Sequence, residues 1–383
     1  MTPFSFNTTP RILCEPGASE KLAALAAGLG VQRPCLISDG GIAASGLLEP
    51  VQAQLEQASL QVTVFSDVIA DPPEAIIHKA LQKAVQAGCD GVIGFGGGSA
   101  MDTAKLIALL LDGSQSLQEV YGVDQARGKR VPLIQVPTTA GTGSEVTPIA
   151  IVTTGETTKQ GVVAPQLLPD IAVLDARLTL GLPPAVTAAT GIDAMVHAIE
   201  AYTSRHRKNP YSDMLAREAL GLLARNIEAA VHTGDDETAR SNMLLGALLA
   251  GQAFANAPVA AVHALAYPLG GIYHIPHGLS NSLVLPHVLR FNLDAARIEY
   301  MALAAIILPP QEALGDDAAE RMIDFLADLA TRLNLPTRLR DLDIPESALP
   351  RLAAEAMLQQ RLLVNNPRDV SEQDALAIYQ AAW

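Results

Sequence analysis

The chain has 383 residues and a formal net charge of −14, from 40 Asp and Glu against 26 Lys and Arg. Hydrophobic residues make up 49% and charged residues 17%, which excludes disorder as the dominant state and supplies enough apolar material for two domains. The acidic balance argues against nucleic acid or an anionic membrane as a partner, because both need a cationic face. Cys14, Cys35 and Cys89 are widely spaced and form no CxxC pair. Neither a disulfide framework nor a thiolate metal site is therefore expected, and a reducing, cytoplasmic compartment is. The opening stretch MTPFSFNTTPRILCEPG lacks a charged segment followed by an apolar run, so no secretory signal is expected.

In chain order, PCLISD (34–39) reads as a strand and LLEPVQAQLEQAS as a helix. VTVFS is a strand, PPEAIIHKALQKAVQAG a helix, and DGVIGF a strand that runs into GGGS and the helix AMDTAKLIALLLD. VPLIQVP, IAIVTT, QGVVAP and DIAVLD supply further strands up to about Asp175. Strands alternating with such helices imply parallel βαβ units. From Gly191 onward the apolar residues recur at i, i+3 and i+4, the helical period. The last helix starts at the capping-box-like Ser371-Glu-Gln-Asp374. The expected division is an α/β domain over 1–182 and an all-helical domain over 183–383. Residues Met243 to Tyr273 contain no Asp, Glu, Lys or Arg, but Gln252, Asn256, Pro258 and His263 interrupt any membrane-length apolar run. That stretch reads as a helix buried on all sides.

Three segments of the first half carry nucleotide-binding chemistry. GFGGGSAMDTAK lies between a strand and a helix, where glycines admit a phosphate to backbone N–H groups and the helix N-terminus adds partial positive charge. Asp39 ends the first strand, where a carboxylate can accept from a ribose diol and repel a 2′-phosphate. Pro137-Thr-Thr-Ala-Gly-Thr-Gly-Ser-Glu145 is a third loop of small and hydroxyl residues. The acid precedes the glycines, the reverse of the usual dinucleotide fingerprint. Each segment alone also reads as an ordinary turn; together they favour a dinucleotide site at strand C-termini.

The second half carries metal chemistry. Asp193 and His197 are four apart in GIDAMVHAIEAY, hence on one helical face. His263 lies in the uncharged stretch, and His274 and His277 follow in HIPHG. One carboxylate with several imidazoles suits a divalent ion such as Fe²⁺ or Zn²⁺. Such an ion can polarise a carbonyl or ease ionisation of an alcohol, which beside a nicotinamide meets the need of hydride transfer.

GGGSAMDTAK, PTTAGTGSE, GIDAMVHAIEAYTS, HALAYPLGGIYHIPHGLSNSLVLPHV and the tail NNPRDVSEQDALAIYQAAW resemble the iron-containing (group III) alcohol dehydrogenases over nearly the whole chain. The resemblance implies an α/β N-terminal nucleotide-binding domain plus an all-α C-terminal domain, the dehydroquinate synthase-like fold, commonly as a homodimer. It implies metal ligands at Asp193, His197, His263 and His277. It implies cofactor contacts at Asp39, Gly97, Gly98, Ser99, Asp102, Thr138, Thr139, Thr142, Ser144 and Lys159, with Asp39 favouring NAD over NADP. Several members of the family have a histidine four residues after the third ligand; here that position is Tyr267, so a proton relay falls to Tyr267, His274 or water. The expected activity is that of a metal-dependent, NAD(H)-linked alcohol dehydrogenase or aldehyde reductase acting on a small or medium, uncharged substrate, with Fe²⁺ ahead of Zn²⁺. A maleylacetate-reductase-like enzyme and a dehydroquinate-synthase-like lyase are the alternatives within the fold. The second needs Lys and Arg around the metal, whereas the residues flanking these ligands are apolar.

Overall fold

The computed structural model describes residues 3–155 and 158–383. Met1 and Thr2, part of the stretch read above for a signal, lie outside the described residues. The chain forms two compact units. One is Asn7–Gly181; the other is Leu182–Trp383 together with the N-terminal stretch ending at Phe6. In the latter the rings of Phe4 and Phe6 lie 5.9 and 5.6 Å from that of Tyr211.

The first unit contains strands β1 (Arg11–Cys14), β2 (Pro34–Asp39), β3 (Thr63–Val68), β4 (Gly91–Gly96), β5 (Gly122–Val123), β6 (Leu133–Pro137), β7 (Ile149–Thr154), β8 (Thr158–Val163) and β9 (Ile171–Leu174). Between them run helices α1 (Leu22–Gly28), α2 (Gly40–Ala44), α3 (Leu48–Gln57), α4 (Glu74–Gln86), α5 (Gly98–Leu110) and α6 (Leu117–Val120). The main sheet has the order β1-β9-β6-β4-β2-β3 and every pairing in it is parallel. A small sheet, β5-β8-β7, stands beside it with β7 antiparallel to β8. All residues of β4, β6 and β9 are buried. That is why their sequences are continuous apolar runs, as both faces of a parallel sheet are covered by helices. Cys35, Ile37 and Val92 pack into the core on one face, and Leu36, Ile93 and Phe95 into the core on the other. Each such aliphatic or aromatic side chain contributes about 1.5–3 kcal/mol by leaving water.

Two strands carry no signal in the sequence. β1 is an edge strand, largely exposed, so RILC shows no apolar alternation, and β5 is only two residues long.

The second unit contains α7 (Pro184–Thr203), α8 (Pro210–His232), α9 (Glu237–Asn256), α10 (Ala261–Tyr273), α11 (His277–Ile307), α12 (Ala318–Arg332), α13 (Leu349–Ala356), α14 (Gln360–Leu363) and α15 (Glu372–Ala382). α7 is its central helix: it packs on α8, α9 and α11 and is buried continuously from Gly191 to Thr203. The uncharged stretch forms two helices where the sequence suggests one, with α9 and α10 bent by 106°. The break follows Asn256, where Pro258 excludes the helical conformation from the residue before it. No single helix among the described residues is long and apolar enough to cross a membrane. At the C-terminus Ser371 and Asp374 form the capping box that starts α15.

Candidate metal centre and cofactor loops

In the α/β unit the chain runs from β2 outward to β3 and then returns to β4 on the other side of β2, so the winding reverses between β2 and β4. Ligands of open parallel sheets bind outside the strand C-termini at such a reversal. Three adjacent strands end there: β2 at Asp39, β4 at Gly96 and β6 at Pro137. Asp39 caps α2, its Oδ1 accepting from the N–H groups of Gly41 (2.9 Å) and Ile42 (3.0 Å). Its other oxygen approaches β4 closely enough that a Cβ on Gly96 would lie 3.2 Å from it, and Gly96 has φ +155°. Gly97 is the N-cap of α5 and offers no capping side chain, which leaves the N-terminus of this 13-residue helix to other acceptors.

The β6 loop folds over the same point. Thr138 N–H donates to Gly96 O at 3.0 Å. A Cβ on Gly98 would strike Thr142 Cγ2 at 2.7 Å, and one on Gly97 would sit 3.6 Å from Thr139 Oγ1. The Thr138 hydroxyl is buried and has no hydrogen-bond partner among the described residues. A buried polar atom left this way calls for a partner such as a ligand.

Asp102 behaves differently from the other loop residues. Its Oδ1 accepts from Ser144 Oγ (2.6 Å) and its Oδ2 from Ile151 N–H (2.9 Å), with Lys105 Nζ 3.6 Å away. Asp102 and Ser144 thus hold the 142–151 segment onto α5. Lys159 Nζ pairs with Asp71 Oδ1 at 2.6 Å, and Asp71 N–H donates to Ser99 Oγ at 3.3 Å, so Lys159 and Ser99 share one neighbour. Burial pushes the Lys105 ammonium down to about 8 and the Glu145 carboxyl up to about 7.

In the helical unit α7 supplies Asp193 and His197, one turn apart; α10 supplies His263 and the first residue of α11 is His277. Three imidazole Nε2 atoms converge on Asp193 Oδ1, at 3.9 Å (His197), 3.7 Å (His263) and 3.7 Å (His277). The donor atoms of Asp193, His263 and His277 all lie within 4.8 Å of one another. Donors about 2.1 Å from a tetrahedral ion stand about 3.4 Å apart, so a small contraction would close the set on a metal. The side chains of His197, His263 and Asp193 are almost wholly buried, whereas that of His277 is 31% exposed and marks the open side. Burial raises the Asp193 carboxyl, but the three imidazoles and the Asn281 amide outweigh it and hold it below the usual carboxylate range. Without a cation, so buried a carboxylate is costly.

The surroundings are aromatic. Phe254 stacks on His197 (centroids 4.3 Å), and His197 on His263 (4.7 Å). Tyr267 lies against His277 with centroids 5.9 Å apart. His274, by contrast, is exposed at the left-handed C-cap of α10 (φ +55°), and among the described residues it makes no ring contact or ion pair with the four.

Two residues of this centre escaped the sequence reading. Asn281, one turn after His277, donates from Nδ2 to Asp193 Oδ1 at 2.6 Å and lies 3.4 and 3.3 Å from the Nε2 atoms of His263 and His277. Glu200, one turn after His197, lies 2.6 Å from His263 Nδ1. A signal for it existed: Asp193 and Glu200 are the two acids in the otherwise apolar α7 segment GIDAMVHAIEAY.

Comparison with known proteins covers both units. The family model described as "Iron-containing alcohol dehydrogenase" matches residues 9–176, and the one described as "Fe-containing alcohol dehydrogenase family, C-terminal" matches 187–383. The long-chain-alcohol dehydrogenase 1 of Geobacillus thermodenitrificans (strain NG80-2) is 41% identical over 371 residues, 96% of this chain and 93% of the relative. The crystal structure of a 1,3-propanediol oxidoreductase matches with a TM-score of 0.96 at 34% identity, over 100% of both chains. The sulfoacetaldehyde reductase of Bifidobacterium kashiwanohense, solved in complex with NAD⁺, matches with a TM-score of 0.90 at 28% identity, over 100% of this chain and 99% of that one.

Proposed function

The chain belongs to the iron-containing alcohol dehydrogenase family, and from that premise we propose that it interconverts an uncharged alcohol and its aldehyde or ketone, using NAD(H) and one divalent metal ion. The observation that carries the reading is the convergence of three imidazole Nε2 atoms on one buried carboxylate oxygen. Asp193, His197, His263 and His277 would hold the ion, Fe²⁺ ahead of Zn²⁺. When bound there, it would polarise the substrate oxygen, and the nicotinamide would exchange hydride with the adjoining carbon.

The chain's own residues do the rest. Gly97, Gly98 and the N-terminus of α5 supply backbone N–H groups for the cofactor's diphosphate. Asp39, with Oδ1 engaged by α2, offers Oδ2 to a ribose diol and disfavours a 2′-phosphate. The buried Thr138 hydroxyl, with Thr139, Thr142, Ser99 and Lys159, supports a polar contact along the same cofactor. Asp102 and Ser144 act by fixing the loop. Phe254 and Tyr267 keep water from the imidazoles and favour an uncharged substrate. The Tyr267 ring lies against that of His277, which supports reading its hydroxyl as a proton-relay group.

The family resemblance also supports a homodimer, and the three scattered cysteines support a reducing, cytoplasmic compartment; light scattering of the purified protein and fractionation of its host would test the two. The function itself is tested by metal analysis of anaerobically purified protein, followed by a panel of primary alcohols with NAD and NADP. NADH formation that vanishes with the metal is the expected result. Turnover insensitive to chelators would turn the reading toward the maleylacetate-reductase-like alternative.

A further inference from the structure

Glu200 is 3% exposed, and the carboxylate makes three hydrogen bonds, all to groups at the start of α10. Oε1 accepts from Val262 N–H at 2.7 Å; Oε2 accepts from Ala260 N–H at 3.0 Å and faces His263 Nδ1 at 2.6 Å. The N-cap of α10 is Ala260, whose methyl group cannot cap. A carboxylate from another helix therefore does what a capping Ser or Asp does locally, and its charge complements the positive end of the α10 dipole.

The two backbone N–H groups can only donate, so both oxygens of Glu200 act as acceptors. With Glu200 as a carboxylate, which can only accept, the short third contact is a bond donated by an Nδ1–H of His263. With Nδ1 protonated, a neutral His263 carries its lone pair on Nε2, the atom that points at Asp193 Oδ1 from 3.7 Å. A metal takes a neutral imidazole through its lone pair, and which nitrogen offers it is set by the hydrogen bond at the other. Glu200 is three residues beyond His197 on α7. One helix therefore carries two members of the metal set and the group that aims a third.

We propose that Glu200 is a positioning residue that sets the metal affinity of this centre, by holding His263 in the Nδ1–H tautomer and tying the start of α10 to α7. The inference rests on the reading of Asp193, His197, His263 and His277 as a metal set. It goes beyond that reading in assigning a residue that touches neither metal nor substrate.

The test uses the full chain, stripped of metal and titrated with Zn²⁺ alone in competition with a chromogenic chelator. Glu200→Gln keeps the shape and one acceptor for His263 but replaces an accepting oxygen with a donor. The expected result is a 10–100-fold weaker Kd for Zn²⁺. Ile227→Val, a conservative packing change in α8, controls for general loss of stability and should leave Kd within twofold. A Kd for Glu200→Gln within twofold of wild type would overturn the proposal and leave Glu200 as a helix cap only. Nitrogen-15 histidine spectra of the metal-free wild type read the tautomer without any substitution at position 200. An Nδ1–H signal from His263 supports the proposal and an Nε2–H signal overturns it. If wild type binds no Zn²⁺ that is lost in His277→Ala, the metal reading itself falls and the proposal with it.

Discussion

A Cβ placed on Gly278 would lie 2.2 Å from the carbonyl oxygen of Ala189 and 3.3 Å from the Cβ of Asp193. The first turn of α11 therefore rests on the backbone of α7, and it is this contact that carries His277 to Asp193. Only a residue without a side chain allows helices to approach so closely. Gly278→Ala should destabilise the chain by about 1–3 kcal/mol through overpacking and displace His277. Thermal unfolding and metal stoichiometry together check this. An alanine variant with unchanged melting temperature and full metal content would show that the contact has slack.

Asp39 sits at the end of β2 beside Gly96 and is expected to choose between the two nicotinamide dinucleotides. Asp39→Ala should raise KM for NAD about tenfold and narrow the gap to NADP, at a cost of about 1 kcal/mol for the lost α2 cap. Steady-state kinetics with both cofactors decide the matter. A wild-type preference for NADP would contradict the assignment.

Tyr267 and His274 divide by position. Tyr267 lies against His277, whereas His274 is exposed at the end of α10. Tyr267→Phe should keep the metal and lower kcat by about tenfold or more, in the range of a lost proton-transfer group. His274→Ala should leave kcat within twofold. The opposite pattern would move the relay to His274.

The Glu145 and Lys105 pair gives the α/β unit a pH signature. Burial lifts the Glu145 carboxyl from 4.5 to about 7, so between those values the folded chain holds more protons than the unfolded one and stability falls as pH rises. Burial lowers Lys105 from 10.5 to about 8, so there the folded chain holds fewer protons and stability rises with pH from about 8 upward. The pair contributes least between about 7 and 8. Denaturant melts at pH 5 and pH 7.5 should show wild type losing stability relative to Glu145→Gln over that interval. Parallel pH profiles for the two proteins would remove Glu145 from the account.

The parts legible in the sequence are those with a short-range signature. β2, β4 and β6 read as strands because their residues face apolar surroundings on both sides, and Asp193 with His197 stood out because four residues span one helical turn. β1 left no trace because an exposed edge strand needs no apolar pattern. The break between α9 and α10 is marked only by Pro258 within a run that is otherwise apolar. Glu200 and Asn281 are invisible to spacing for a different reason. The Glu200 carboxylate meets its partners 60 to 63 residues away and Asn281 meets Asp193 from 88 residues away, and only the packing of α7, α10 and α11 brings these groups together.

Asp193, His197, His263 and His277 are proposed to hold one divalent ion on which NAD-linked alcohol oxidation depends. The most direct measurement follows NADH formation from a primary alcohol while a chelator withdraws metal from anaerobically purified protein, with metal content determined on the same samples. The expected result is one ion per chain at the start and a rate that falls in proportion to bound metal, reaching zero with it. A rate that persists undiminished in metal-free protein would contradict it.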